Sequence, residues 1–151
     1  MNSNVVVLSS QDIKSKRMPT ARLPIEIEYW YVLPVLRREL AKSLKELGKL
    51  RQKEIAKILG ISESAVSQYL KGTRATLDSD TGEEISFPNW LQQSIVASTK
   101  NILAKKDDTM TFLSEMNDLI QEIRSKPTSF LCKVHRAFGV VESDCTLCVK
   151  D

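Results

Sequence analysis

No stretch of the chain approaches the roughly 18 consecutive apolar residues that read as a membrane span. The apolar run near the start, residues 5–8, has only four residues and no basic segment before it, so it is too short for a secretory signal. Histidine occurs once and cysteine three times, and every cysteine lies in the last twenty residues. An odd, clustered set of this kind does not make a disulfide framework. A phosphate-cradling glycine-rich loop is lacking, as is a paired acid/base constellation, and neither internal repeats nor low-complexity segments occur. These absences point to a cytoplasmic protein that is neither membrane-bound nor an enzyme.

What is present is a chain of 151 residues, 42% apolar, enough to bury a core. The net charge is only +3, but it is unevenly placed. Residues 31–74 carry ten Lys or Arg against four Glu, a balance of +6, whereas residues 75–90 carry four acids and no base. Positive charge gathered in one segment is the electrostatic footprint of a phosphate-bearing partner.

The apolar spacing divides the chain into five parts. Residues 1–24 are a mixed segment read as a flexible arm; its Lys14, Lys16, Arg17 and Arg22 either touch DNA backbone or are solvated. Residues 25–74 form the main unit. From Tyr31, Leu33, Leu36, Leu40, Leu44 and Leu47 recur at steps of three and four and make one helical stripe, which Gly48 is expected to stop. Pro34 fits the first turn of that helix or a kink before it. A second helix is expected over residues 52–59 and a third over residues 62–71, with Gly60 between them and Ser62 as the cap of the third. Residues 75–88 break the pattern and read as a short β-hairpin near 76–87 or an acidic linker. Residues 89–126 carry two further helices, over 89–105 and 108–124, with Leu91, Ile95 and Ile102 striping the first and Phe112, Met116, Leu119, Ile120 and Ile123 the second. That second stripe packs on the first, on another subunit, or on both, and the region is expected to hold a homodimer. Residues 127–151 are a tail that holds the ligand-type residues. The expected class is all-α.

Two helices crossing steeply over a tight turn need a small residue at their approach and a residue tolerant of positive φ in the turn. Ala56 and Gly60 meet those needs, and Ile55, Leu59, Ile61, Val66, Tyr69 and Leu70 supply the inward face. The outward face of the third helix is polar, with Glu63, Ser64, Ser67, Gln68 and Lys71. Such a helix suits the major groove. Gln68 can bond an adenine edge in two places and the serines can serve several bases, while Lys71, Thr73 and Arg74 suit phosphate. Arg51, just before Gln52, stands where a Ser or Thr cap is common, a loss of roughly 1 kcal/mol.

Residues 31–74 resemble the helix-turn-helix of phage-repressor-type transcription regulators: Gln52, Ala56, Gly60 and Val66 fall where that family places its Gln, Ala, Gly and Val. The fuller string of Leu33-Pro34, Arg37-Arg38 and Ser67-Gln68-Tyr69-Leu70-Lys71-Gly72-Thr73-Arg74 resembles a group of archaeal transcription regulators that also end in a Cys/His-rich tail. The resemblance implies a regulator of double-stranded DNA, with Gln52, Ser62, Glu63, Ser64, Ser67, Gln68, Lys71, Thr73 and Arg74 at the interface. A transcription-machinery adaptor using the same motif for protein contacts is the alternative.

In the tail, Cys132-x-x-His135 is followed after nine residues by Cys145-x-x-Cys148. Two pairs with two-residue spacers can each bite one ion, a tight turn pointing both side chains of a pair inward. Three thiolates and one imidazole suit a closed zinc site; an iron–sulfur cluster is the rival.

Overall fold

The computed structural model describes residues 23–74, 87–126 and 130–138. Within them all regular structure is helical and there is no strand. The elements are α1 (Pro24–Ile27), a π-helical stretch (Glu28–Val32), α2 (Leu33–Gly48), α3 (Gln52–Leu59), α4 (Glu63–Lys71), α5 (Asn89–Ala104), α6 (Thr109–Ser125) and α7 (Phe130–Phe138). Apart from Phe87, the hairpin or linker expected near 76–87 lies outside the described residues, as do residues 1–22.

The first helical run begins earlier than its leucine stripe predicts. Pro24 opens α1 at a position where its missing N–H is no loss, and helical backbone continues through the π stretch into α2. Pro34 lies just past that stretch. A proline inside a helix deprives the carbonyl four residues back of its donor and crowds it, and a widened turn relieves both. Of the two placements open to Pro34, the structure has the first turn of α2, directly after the π stretch.

Leu36, Leu40 and Leu44 are fully buried, Leu33 is half-buried and Leu47 is exposed. Leu47 borders a shallow groove between α2 and α5, beside Gln92 and Val96. Gly48 is not the left-handed stop; it ends α2, and Lys49 takes the positive φ of 49°. The glycine serves a close approach instead. A Cβ there would lie 2.5 Å from Leu103 Cδ2 and 3.2 Å from Leu50 Cγ.

Around α2 the remaining helices assemble in two groups. α3 and α4 pack on it from one side and α5 from another. α6 lies along α5, burying Met116, Leu119 and Ile123, so the second apolar stripe is met within the chain. Ser94 Oγ donates to Glu122 Oε1 at 2.9 Å and Asn101 Nδ2 to Glu115 Oε1 at 3.0 Å across the same pair of helices. Thr99, buried in the α5 stripe, satisfies its hydroxyl on the Ile95 carbonyl at 2.7 Å. Asp108 caps α6 by accepting from Met110 N at 3.0 Å.

α7 closes the bundle at its start. Phe130, Leu131 and Val134 are buried against α1, the π stretch and α6, and Phe87 meets Phe130 edge-on at 5.7 Å between centroids. The tail's first helix thus joins a core that runs from Ile27 to Val134. A charge pair ties the same end together: Arg124 donates through Nε and Nη2 to the two oxygens of Glu28, at 2.7 and 2.6 Å. These bonds raise the Arg124 pKa above its already high ordinary value, outweighing partial desolvation.

Candidate nucleic-acid interface

The geometry of α3 and α4 follows from the three residues between them. Gly60 adopts φ 66°, and its N–H and that of Ile61 both reach the Ala56 carbonyl. Nothing lies within 4 Å of a Cβ built there, so glycine is needed for the backbone angle and not for space. Ser62 then caps α4, its Oγ accepting from Ala65 N at 3.1 Å. Ile55, Ala56, Leu59, Ala65, Val66 and Tyr69 are buried, and Ile61 and Leu70 half-buried, where the two helices and α2 meet.

Arg51 leaves α3 without a side-chain cap, yet the first turn is not undone. The Arg51 N–H donates to Glu54 Oε2 at 2.8 Å, half of a capping box read from the third helical residue. The spacing Arg51-x-x-Glu54 carries that signal in the sequence, three residues past the cap position. The Arg51 side chain itself is 87% exposed beside Gln52.

Of the predicted interface residues, Gln52, Ser62, Glu63, Ser64, Gln68, Lys71, Thr73 and Arg74 are exposed, and Ser67 is half-buried. Ser64, Gln68 and Lys71 are spaced to share one outer stripe of α4, while Gln52 stands at the head of α3. Ser62 and Thr73 are partly committed elsewhere. The Ser62 hydroxyl holds the cap, and both the N–H and hydroxyl of Thr73 donate to the Gln68 carbonyl, at 3.1 and 3.3 Å, closing the end of α4. Gly72, at φ 72°, turns the chain so that this closure is made.

Arg74 folds back over that end. Its Nη1 donates to Gln68 Oε1 at 3.4 Å, and its guanidinium carbon lies 5.3 Å from the Tyr69 ring centroid. The face as a whole is polar and ends in two cations, Lys71 and Arg74, with Glu63 as its one acid.

The predicted metal ligands divide. Cys132 and His135 stand one turn apart on α7, half-buried and 2% exposed respectively, so this pair is set by helical spacing and not by a tight turn. Cys145 and Cys148 lie outside the described residues. Among the described residues no three His, Cys, Asp or Glu side chains are grouped closely enough to hold an ion. No helix among them is long and apolar enough to cross a membrane.

Residues 40–85 match the family model described as helix-turn-helix, a span that takes in most of α2, all of α3 and α4, and the segment after them. No curated protein and no solved structure was found to match the chain.

Proposed function

We propose that the protein is a sequence-specific DNA-binding transcription regulator that inserts α4 into the major groove. The observation that carries this is the exposed polar stripe of Ser64, Gln68 and Lys71, held on a helix whose other side is locked into the core by Ala65, Val66 and Tyr69. Around it, Gln52 and Arg51 at the head of α3 and Lys71 at the foot of α4 suit phosphates on either side of the groove. One short helix reads few base pairs, so two copies are expected to act together. Met110 and Leu113, exposed on α6, offer apolar surface for the second copy.

A duplex selected from a random pool by the full chain supplies the probe. Gln68→Ala is expected to weaken binding to it by about 1–3 kcal/mol while leaving nonspecific DNA affinity unchanged. An equal loss on both DNAs would remove Gln68 from base reading, and a pool with no selected sequence would return the motif to protein contacts. Light scattering of the complex-free protein is expected to give about twice 17.1 kDa, and a monomer mass at micromolar concentration would count against the dimer.

The tail is read as a metal site of Cys132, His135, Cys145 and Cys148. The first two fit, because side chains one helical turn apart can reach one ion. Zinc would supply a redox-inert cross-link and an iron–sulfur cluster an oxidisable one. Elemental analysis and a visible spectrum of anaerobically purified protein distinguish them. Cys145→Ser is expected to lose stoichiometric metal while the fold of residues 31–74 survives; a full equivalent of metal in that variant would refute the ligand set.

A further inference from the structure

The contact between Arg74 and Gln68 changes which base the helix can read. A lone glutamine recognises adenine because its amide is two-sided: the oxygen accepts from the adenine N6 amino group while the nitrogen donates to N7. In this protein the Gln68 oxygen already accepts from Arg74 Nη1 at 3.4 Å. That oxygen keeps a second lone pair, but an adenine amino group brought to it would lie beside the guanidinium, donor against donor. What Gln68 and Arg74 present together is a row of donors, the amide N–H of one and the N–H groups of the other. A row of donors is the complement of guanine, whose major-groove edge carries two acceptors, O6 and N7.

Arg74 is also held in place before any DNA arrives. Gly72 reverses the chain at φ 72°, Thr73 pins it to the Gln68 carbonyl, and the guanidinium rests over the buried ring of Tyr69 at 5.3 Å. An arginine past a helix end normally loses much side-chain freedom on ordering, and here a ring face and an amide oxygen have already restricted it. Sequence spacing assigns Arg74 to phosphate because it lies beyond the end of α4. The fold-back brings its head group to the base-reading residue instead.

We infer that Gln68 and Arg74 act as one unit that reads a guanine, with Arg74 the discriminating residue and Gln68 orienting it. The inference rests on the proposal that α4 enters the major groove. In a duplex bound by α4, the half-site then contains a guanine whose identity depends on Arg74, and removal of the guanidinium returns Gln68 to its two-sided form. The sharp consequence is a change of preference at that position from guanine to adenine, not merely a loss of affinity.

The test selects duplexes from a random pool with the full chain and with Arg74→Ala and Arg74→Lys. The helical circular-dichroism spectrum of each variant is checked first; both changes are at an exposed residue. The unaltered chain is expected to select a guanine that Arg74→Ala replaces by adenine. Arg74→Lys, lacking the planar fork, is expected to keep guanine with reduced discrimination. Replacing the selected guanine by 7-deazaguanine, which lacks the N7 acceptor, should weaken binding of the unaltered chain by roughly 5- to 150-fold and leave Arg74→Ala unaffected. An unaltered chain that selects adenine at the Gln68-dependent position overturns the inference. So does an Arg74→Ala protein that keeps every base preference and loses affinity evenly, since that is a phosphate contact. A chain that selects no sequence at all fails the DNA-reading proposal itself, an outcome distinct from either.

Discussion

Leu40→Ala is expected to lower stability by roughly 2–5 kcal/mol, and the loss should be felt by the whole protein at once. Leu40 is fully buried at the middle of α2, the helix against which α3 and α4 pack from one side and α5 from another. Truncating it opens a cavity that neither group can collapse into without moving the shared helix, and so both lose contacts. The buried hydrophobic residues described form one cluster from Ile27 to Val134 that includes those of α3 and α4. The two tryptophans report on different regions, Trp30 from the π stretch and Trp90 from the first turn of α5, where Lys126 lies over its ring at 5.0 Å. In Trp30→Phe and Trp90→Phe proteins, urea transitions followed by the remaining tryptophan and by circular dichroism should coincide, and Leu40→Ala should shift all of them together. A circular-dichroism transition that separates from both tryptophan transitions would show that α3 and α4 unfold apart from the rest and that α2 does not couple them.

The parts of this architecture that were legible from sequence are those governed by local rules. The stripe of Leu36, Leu40 and Leu44, the left-handed Gly60 and the Ser62 cap each depend on residues within a few positions of one another. Other features depend on partners that spacing cannot name. The helical turns before Leu33 are not legible in the spacing because the buried apolar residues there, Ile27 and Val32, are five apart, off one face of an α-helix and brought inward by the π stretch. Gly48 ends α2 as its place in the sequence suggests, but the close approach its missing Cβ allows to Leu103, 55 positions further along the chain, is not written in local spacing. In the tail, the helix that carries Cys132 and His135 is docked by Phe130, Leu131 and Val134, a pattern too short to read as a stripe on its own. Arg74 was assigned by its place after α4, and its contact with Gln68 became visible only once the chain had turned back at Gly72.

The pairing of Glu28 with Arg124 is the least legible of these contacts and carries the second large effect. Arg124→Met is expected to cost about 2–3 kcal/mol, at or below the low end for a severed buried pair because the arginine side chain is itself 46% exposed. The penalty comes mainly from Glu28, which is 8% exposed at the start of the π stretch and would lose its bidentate partner. Methionine retains most of the stem's packing, so the loss measured is chiefly electrostatic. The same logic predicts a rescue. Glu28→Gln removes the stranded charge, and in the Arg124→Met background it should recover most of the lost stability, although alone it weakens the pair. Urea denaturation of the two single variants and the double variant closes the cycle. Strictly additive losses would mean that the two residues stabilise the protein independently and that the short contact between them contributes nothing. A coupling of 1 kcal/mol or more, on the order expected for close charged neighbours, would establish that this pair fastens the C-terminal end of α6 to the helical turns that precede α2.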